Sequence, residues 1–450
     1  MKVILINPPS PSNGEHLHEY RQYPHLGLGY LCGALRSRKH DCKIIDSKFN
    51  GFSTAQAIQA CRVEKPNLVG ITSRTFDFSR GLVIAKALHE AGIPVIFGGS
   101  HANAMPRQLL SYYPFLDFVA RGEAEETVSD TCDKLSSSEF CRIPNLFYRE
   151  QGVVYHGPLV KACSDTDKLP LPDYSGYTGH FRKMFVMTSR GCPFSCIFCG
   201  SVLGRNLRRR TPENVASEIA TLLRDYSFDY LEFADESFTL DREYTLQLLA
   251  AIRNQNLQHK LKWAASTRAD LLDQELLSEM KVSGCWQLII GAESGDPGIL
   301  EEWKKGITRN QILSAAKMVK QAGISLDLNF ILGAPNEDLY SILKTMTLIG
   351  KTNPEMASIS IGTPYPGTVY NVLAAMNYGG LRLITRRFSD YNNQLGNALE
   401  LDNLSRRTLE LFQLSSYLYL YLRNHRFRDL LKFLFEFRKE GWYFLKKFLS

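Results

Sequence analysis

Three closely spaced cysteines carry the clearest chemical signal in this 450-residue sequence. Cys192, Cys196 and Cys199 form a C-x3-C-x2-C pattern within GCPFSCIFCG. Thiolates are soft ligands that suit iron–sulfur clusters or zinc. A structural zinc site normally takes four ligands, and no fourth Cys or His lies close by in the sequence. Three thiolates on a tight loop would leave one iron of a [4Fe–4S] cluster open to a substrate or cofactor.

Zinc completed by a distant ligand is the alternative that these residue types leave open. Cys163 and Cys285 are the candidate fourth ligands, although structural zinc sites are usually closed by local ligands. The first residues, MKVILINPPS, are too short and too soon interrupted by prolines for a signal peptide. In a chain without an export signal, scattered cysteines are most often reduced and buried, which is the expectation for the cysteines outside the motif.

Strand and helix patterns alternate along the first 135 residues. The apolar strands are KVILI, CKIID, NLVGITS, IPVIFGG and LDFVA, and helical segments separate them. Such alternation predicts βαβ crossovers and a parallel sheet. The fold class is α/β, and residues 1–140 are predicted to form a flavodoxin-like, Rossmann-type domain. Its ligand would bind at the carboxyl ends of the strands.

A second alternating region follows a break in this rhythm. Residues 141–181 contain a hairpin pattern, RIPNLFYREQGVVYHG, and a Pro-, Gly- and Tyr-rich stretch predicted to be a linker. The later strands are MFVMTS, YLEFAD, KWAAST, WQLIIGAE, LDLNFILG and ASISIG. Six βα units are fewer than the eight of a closed barrel. Residues 182–380 are therefore predicted to form an open, partial (β/α)6 barrel.

The C-terminal region, residues 381–450, is predicted to be helical, basic and aromatic. Ten basic and four acidic residues lie between 405 and 450, so this stretch carries +6 of the net charge of +7. The rest of the chain is nearly neutral, which argues against a nucleic-acid partner. Apolar residues recur here mostly at spacings of three and four: Phe427, Leu430, Leu431, Leu434, Phe437, Phe444 and Phe448. This stripe either docks on the barrel or makes a peripheral contact with an anionic membrane. No apolar run is long enough for a transmembrane helix.

The cysteine loop on the first strand of a partial barrel resembles the radical S-adenosylmethionine (SAM) superfamily. The resemblance covers roughly residues 182–380. It implies a [4Fe–4S] cluster held by the three cysteines, with SAM bound at the open iron. Phe198 matches the aromatic residue that lies against the SAM adenine in this family. The segment TPYPGT, residues 363–368, resembles one seen in many members.

Further SAM contacts are implied where the predicted strands end, on the catalytic face of a βα barrel. FADESF stands where the family grips the methionyl amino group, although Gly-Gly-Glu is usual there. Arg268 would pair with the SAM carboxylate. Read one at a time, the acidic residues of FADESF could instead cap a helix, and Arg268 could form a surface ion pair. The residues assigned to SAM by this resemblance are Phe198, Asp235, Glu236, Arg268, Glu293, Ser294, Leu332 and Gly333.

The first domain resembles the cobalamin-binding domain fused to such barrels. The matching segments, in order, are NPP, HLGLGYL, VGITSRT, GGSH and RGEAE. Glycine pairs permit a bulky ligand to approach the backbone closely. The residues assigned to cobalamin by this resemblance are Pro8, Pro9, Ser73, Arg74, Thr75, Gly98, Gly99, Ser100, His101, Gly122, Glu123 and Glu125.

The lower face of cobalt departs from the methionine-synthase pattern. The D-x-H-x-x-G signature is absent, so no histidine ligand is predicted through that motif. His101 is a candidate by residue type alone, and a histidine bonded to solvent or backbone is the competing interpretation. Ser73, Arg74 and Thr75 should approach the lower face. The charge of Arg74 would there disfavour electron-poor Co(III).

The function that the resemblance favours is a B12-dependent radical SAM methyltransferase. It would act on a small molecule at an unactivated carbon or phosphorus centre, using a 5′-deoxyadenosyl radical and methylcobalamin. The alternatives are a radical SAM cyclase or ring-rearranging oxidoreductase, and a non-enzymatic iron–sulfur or cobalamin-sensing module. The expected partner is an external electron donor of the flavodoxin or ferredoxin type. An oxygen-labile cluster implies a cytoplasmic location.

Overall fold

Two parallel sheets organise the part of the chain that the computed structural model describes, residues 1–10, 23–393 and 398–436. The first sheet has seven strands in the order β2-β1-β3-β4-β5-β6-β7, and β1 to β5 are parallel. Its strands are β1 Lys2–Asn7, β2 Asp41–Asp46, β3 Leu68–Thr72, β4 Val95–Gly98, β5 Phe118–Ala120, β6 Leu146–Glu150 and β7 Val153–His156. The order 2-1-3-4-5 is flavodoxin-like and confirms the predicted fold class.

Helices cover both faces of this sheet. They are α1 Leu26–Ser37, α2 Ser47–Asn50, α3 Thr54–Glu64, α4 Phe78–His89, α5 Ser100–Ala104, α6 Pro106–Tyr112 and α7 Glu125–Lys134. Two apolar clusters of buried side chains flank the sheet. Because ligands bind where the strand order reverses, the carboxyl ends of β1 and β3 mark the expected binding crevice.

The predicted hairpin extends the first sheet. β6 pairs antiparallel with β5 and with β7. The hairpin covers the backbone edge that β5 would otherwise expose, and an exposed edge is a liability in a sheet. The range 141–181, expected to be hairpin and linker, therefore begins with two strands of the first domain. The division of the chain at residue 140 stays a prediction.

The second sheet is an open half-barrel. Six parallel strands lie in the order β15-β14-β13-β12-β11-β8. They are β8 His180–Val186, β11 Ser227–Phe233, β12 Trp263–Thr267, β13 Cys285–Glu293, β14 Ser325–Leu332 and β15 Met356–Ile361. The short strands β9 Ser189–Arg190 and β10 Arg208–Arg209 pair antiparallel after β8. The predicted partial barrel of six βα units is confirmed.

The barrel strands alternate in burial, as a period-two pattern requires. On β14, Leu326, Leu328, Phe330 and Leu332 are buried, and the residues between them are only partly so. The buried set joins one large apolar cluster with the surrounding helices. Those helices are α8 Pro212–Asp225, α9 Arg242–Asn254, α10 Gln274–Val282, α11 Pro297–Glu302, α12 Arg309–Gln321, α13 Leu339–Thr352 and α14 Val369–Ala375. The other set, which includes Asp327 and Asn329, forms the inner face of the half-barrel.

The C-terminal region closes one open side of the barrel. It contains β16 Leu381–Leu383, β17 Leu399–Leu401, α15 Arg406–Arg423 and α16 Phe427–Glu436. The edge strand β15 is protected by α15, because Tyr417 accepts a hydrogen bond from the Ile359 N–H (2.9 Å) and Gln413 donates to the Ile359 carbonyl (2.6 Å). The helix α15 thus docks on the barrel, whereas Phe427, Leu431 and Leu434 of α16 are exposed. The tail positions Phe437, Phe444 and Phe448 lie outside the described residues.

Removing the Tyr417 hydroxyl should destabilise the barrel edge. In Tyr417→Phe the Ile359 N–H loses its partner, and an unsatisfied buried donor costs about 1–3 kcal/mol. We expect a lower denaturant midpoint, with Tyr419→Phe on the same helix as the control. Equal midpoints for the two variants would show that α15 does not support β15 through this bond.

No helix in the described ranges is long and apolar enough to cross a membrane.

Candidate cofactor sites

The three motif cysteines lie on one loop, which the short β9–β10 pair closes at its base. The Cys192 N–H donates to the Gly204 carbonyl (3.1 Å), so the two limbs of the loop are tied together. Gly191 has φ +95°, and a β-carbon there would lie 2.3 Å from the Asn206 carbonyl oxygen. Only glycine fits at this position. Gly191 is therefore required by the backbone of the loop, and Cys192 by its role as a cluster ligand.

The thiols suit a cluster better than a single metal ion. Cys196 is buried, and Cys192 and Cys199 are partly exposed. Burial raises the pKa of Cys192 and of Cys196, so a bound cation is needed to hold them as thiolates. A structural zinc site needs a fourth ligand, whereas a [4Fe–4S] cluster needs only the three motif cysteines. Cys285 begins β13, at the end of the sheet opposite to the motif, and the Cys163 thiol donates to the Asp165 carbonyl (3.3 Å).

Arg268 braces the cluster loop. Its guanidinium donates to both oxygens of Asp270 (2.9 and 3.0 Å) and to the Lys305 carbonyl (2.8 Å). It also stacks on the ring of Phe194, at 3.6 Å from the centroid. Because Phe194 lies between the first two cysteines, this stacking positions the loop. Pairing with the SAM carboxylate, as the resemblance implied, would have to use the N–H groups that remain.

Glu293 and Lys305 form a buried ion pair beside Cys196. Their side chains are 6% and 9% exposed, and 2.8 Å separates the Lys305 Nζ from Glu293 Oε1. Glu293 adopts the left-handed φ of +59° at a bulge in β13. A non-glycine residue held there stores strain, which is common at functional sites. Glu293, one of the residues assigned to SAM, thus has its carboxylate bound to a lysine, and its contact with SAM stays a prediction.

Asp235 and Glu236, which follow β11, lie in different environments. Asp235 is buried and accepts hydrogen bonds from the Thr188 N–H, the Thr188 hydroxyl and the Ser189 hydroxyl (3.0, 2.7 and 2.5 Å). It fixes the turn that leads into the cluster loop, and burial raises its pKa. Glu236 is exposed and acts electrostatically on Cys192. Of the two residues assigned to the methionyl amino group, Glu236 is the one with an accessible carboxylate.

Two of the remaining SAM assignments are buried in structural contacts. Ser294 is fully buried, and its hydroxyl bonds to the Thr345 hydroxyl (3.0 Å) and accepts from the Asp296 N–H. These partners occupy its hydroxyl, and a contact of Ser294 with SAM stays a prediction. Leu332 is also fully buried in the apolar core.

Gly333 and Phe198 are the last two residues assigned to SAM. The Gly333 N–H donates to Glu337, and its carbonyl accepts from the Tyr370 hydroxyl. Phe198 is partly buried and packs edge-on against Trp303, with ring centroids 5.4 Å apart. Its contact with adenine stays a prediction.

A cavity of about 240 Å³ lies at the carboxyl ends of β1, β2 and β3. Asn7, Asp46 and Ser73 line it from the first domain, and Phe185 of β8 lines it from the barrel. The cavity therefore opens between the two sheets, at the predicted switch point. Pro8 and Pro9 follow β1 and are buried.

The loops around this cavity fit a large ligand. A β-carbon at Gly98 or Gly122 would meet no atom within 4 Å, whereas one at Gly99 would lie 2.5 Å from the Ser73 carbonyl oxygen. Gly99 is therefore a packing glycine, and the other two face open space. The buried Ser73 hydroxyl and His101 Nε2 have no hydrogen-bond partner in the described part of the chain. Orphaned polar atoms of this kind indicate a site for a polar ligand.

The ring of His101 is buried, so its side chain is not bonded to bulk solvent. Its Nδ1 lies 3.1 Å from the Thr75 hydroxyl, and its ring packs against Phe78 and Phe388 at centroid distances of 4.1 and 4.6 Å. Burial lowers the pKa of His101 to about 4. The imidazole is therefore neutral at pH 7. Ser100, beside it, is exposed.

A charged group forms the wall of the cavity at the Ser73-Arg74-Thr75 loop. Asp77 is buried and binds the Lys48 ammonium (2.5 Å) and the Arg74 backbone N–H (2.7 Å). The Arg74 guanidinium is half exposed, and its Nε lies 3.4 Å from Asp77. The Asp77 carboxylate thus orders the Ser73-Arg74-Thr75 loop, which is predicted to approach the lower face of cobalt.

Glu123 and Glu125, two of the residues assigned to cobalamin, are bound by arginines of the barrel. Their carboxylates are bound by Arg190, at 2.7 Å each, and Glu123 also binds Arg208. These arginines belong to β9 and β10, at the base of the cluster loop. Bound in this way, the two glutamates tie the first domain to the barrel, and their contacts with cobalamin stay a prediction.

Sequence reasoning missed several residues at these sites. Arg190 directly precedes Gly191-Cys192, so its position was a usable signal. No sequence signal pointed to Lys305 or Glu337, because only the folded chain brings each of them to its hydrogen-bond partners. Glu337 is fully buried and accepts from the Gly333 and Ala334 N–H groups, and burial raises its pKa to about 7.

Comparison with known protein families identifies both halves of this arrangement. Residues 186–349 match the model of the radical SAM superfamily, and residues 20–131 match that of the B12 binding domain. An uncharacterized methyltransferase of Pyrococcus horikoshii is 33% identical over 84% of this chain and 85% of its own length. The anaerobic magnesium-protoporphyrin IX monomethyl ester cyclase of Rubrivivax gelatinosus is 27% identical over 81% of this chain and 68% of its own.

The fold agrees with a solved structure of the same class. The radical SAM methyltransferase TsrM from Kitasatospora setae, solved with cobalamin and a [4Fe–4S] cluster, superposes with a TM-score of 0.74. It is 16% identical, and the match covers 94% of this chain and 88% of TsrM. The fold and the two sites define a radical SAM enzyme with a cobalamin domain. The chain belongs to the family of cobalamin-dependent radical SAM enzymes, whose cofactors are a [4Fe–4S] cluster, SAM and cobalamin.

Proposed function

We propose that this chain is a cobalamin-dependent methyltransferase that acts on a small molecule at an unactivated carbon or phosphorus centre. The observation that carries the proposal is the position of the cavity, which opens between the cobalamin-type sheet and the barrel near Phe185. A substrate held in the barrel would then lie between the two cofactor sites. The methyltransferase relative supports methyl transfer in particular.

The residues of the chain divide the work. The three cysteines would hold the cluster, Glu236 would bind the SAM amino group, and Arg268 with Lys305 would keep the loop in place. In this class the cluster and SAM supply a radical, and cobalamin supplies the methyl group. The protein positions the reactants and excludes water. Its Gly98 and Gly122 leave the space that a corrin needs.

Product stoichiometry tests the proposal before the substrate is known. Protein purified anaerobically from cells supplied with hydroxocobalamin should contain about four irons and one cobalamin per chain. With SAM and a strong reductant it should form S-adenosylhomocysteine, one per bound cobalamin, as well as 5′-deoxyadenosine. Four irons without cobalamin would contradict methyl transfer. An inability to cleave SAM would favour the sensing module.

A cyclase is the second candidate, because a cyclase is among the similar proteins. Ring closure needs no S-adenosylhomocysteine, whereas methyl transfer consumes a second SAM to produce it. Formation of 5′-deoxyadenosine alone, by protein that contains both cofactors, would therefore favour the cyclase.

Arg74 is proposed to tune the cobalamin from below. Its positive charge disfavours the electron-poor Co(III) state, so Arg74→Ala should lower the reduction potential of bound cobalamin by roughly tens of millivolts. Spectroelectrochemical titration measures this shift. Lys86→Ala, at the far end of α4, is the charge-matched control. Unchanged cobalamin redox behaviour in Arg74→Ala would contradict the assignment.

The helix α16 is proposed to make a peripheral contact with an anionic membrane. Phe427, Leu431, Leu434 and Phe435 are 47–68% exposed on it, and Arg428 and Lys432 are exposed among them. Such a helix binds anionic lipid through its apolar side chains and through its basic side chains. Sedimentation with phosphatidylglycerol vesicles, but not phosphatidylcholine vesicles, is expected. Leu431→Ser with Phe435→Ser should abolish it, whereas Leu422→Ser on α15 should not.

The electron donor and the compartment complete the proposal. Reduction of the cluster needs a one-electron donor, and a flavodoxin- or ferredoxin-type protein would supply it. We place the enzyme in the cytoplasm, because its cysteine thiols and cluster require reducing conditions.

A further inference from the structure

Four buried charged side chains join the first domain to the barrel. Arg190 and Arg208, from β9 and β10, bind Glu123 and Glu125, which follow β5. We call these four residues the interdomain ion cluster. Their side chains are each at most 10% exposed. The two positive and two negative charges balance, and the Arg190 guanidinium also stacks on Tyr30 (4.8 Å).

One end of the interdomain ion cluster belongs to the loop after β5, which carries residues assigned to cobalamin. Glu123 directly follows Gly122, which has φ +76° and faces open space. The Gly122 N–H donates to the Asn103 side chain (2.7 Å) on α5. This carboxylate is therefore fixed to the backbone that a corrin would approach.

The other end belongs to the base of the [4Fe–4S] loop. Arg190 and Arg208 face each other across the β9–β10 pair. Arg208 also donates to the Leu203 carbonyl (3.0 Å), and the neighbouring Gly204 carbonyl binds the Cys192 N–H. A movement of Arg208 is thus transmitted to the first ligand of the cluster.

Charges removed from water tolerate little displacement from their partners. A shift of either loop would break these pairs and leave an uncompensated buried charge, so the two loops must be ordered together. We infer that the interdomain ion cluster couples the two cofactor sites, and that filling either site tightens binding at the other. The inference rests on the proposed function for the identity of the two cofactors. These four residues are positioning residues.

The affinity for hydroxocobalamin in two forms of the full chain tests the coupling. One form carries the reconstituted [4Fe–4S] cluster, and the other is the cluster-free variant Cys192→Ala/Cys196→Ala/Cys199→Ala. Cluster loading should lower the Kd by about tenfold, within the range typical of coupled sites. Glu123→Gln should reduce this ratio to less than about twofold. Glu126→Gln, an exposed neighbour on α7, should keep the wild-type ratio.

The outcomes separate this inference from the proposed function. Equal affinities of the cluster-loaded and cluster-free forms with native Glu123, or a tenfold ratio retained in Glu123→Gln, would overturn the coupling while leaving cobalamin binding intact. A wild-type chain that binds no cobalamin in either form would instead contradict the proposed function, and the inference with it. If Glu123→Gln does not fold, Glu125→Gln leaves both pairs of Glu123 in place and should show an intermediate ratio. An unchanged ratio in that variant would also count against the coupling.

Discussion

Replacement of Cys196 by alanine is expected to eliminate SAM cleavage and to remove most of the bound iron. Cys196 is the buried member of the three ligands, and the loop offers no substitute thiol. A cluster left with two cysteine ligands would be exposed to solvent and lost. Iron and sulfide content, measured after anaerobic reconstitution, reports the loss directly. Formation of 5′-deoxyadenosine under reducing conditions reports the loss of SAM cleavage.

Two other cysteines serve as matched controls. Cys163→Ala and Cys285→Ala should each retain the full iron content, because their thiols bond to the carbonyls of Asp165 and Gln287. They are also the proposed fourth ligands of the zinc alternative. Loss of metal from either variant would revive that alternative, and four irons retained in Cys196→Ala would refute the assignment of the motif.

The second large effect is expected for Lys305→Met. Removing the lysine leaves the carboxylate of Glu293 buried without a partner, and breaking a buried pair in this way costs about 3–5 kcal/mol. For a domain of this size the Tm should fall by roughly 10 °C. The barrel should also reconstitute less iron, because the pair lies beside Cys196. Differential scanning calorimetry and iron analysis measure the two effects.

The unpaired charge, and not the lost side-chain volume, is the expected cause. Adding Glu293→Gln to Lys305→Met removes that charge and should restore most of the lost Tm. Lys304→Met, at the exposed neighbouring position, is expected to change the Tm by less than about 1 °C. A similar loss in Lys304→Met, or no recovery in the double variant, would disprove this explanation.

The alternation of strands and helices was readable without the structure. Most of the parallel strands in both sheets contain a short apolar run, and the order of the elements admits few topologies. The C-x3-C-x2-C motif is equally local, because three ligands of one cluster lie within eight residues. These features depend on neighbours in sequence, and they determined the fold class, the cluster site and the enzyme family.

The roles of single side chains were decided only by tertiary contacts. Asp235 and Glu236 are adjacent in sequence, yet one is buried by the Thr188 turn and the other is exposed. Ser294 packs against Thr345, which lies 51 residues away. Glu123 matches a cobalamin segment by pattern, but Arg190 and Arg208 from the other domain bind it. A sequence motif places a residue near a site, but the residue that pairs with it comes from a distant segment of the chain. Only the packing of the two sheets against each other brings those partners together.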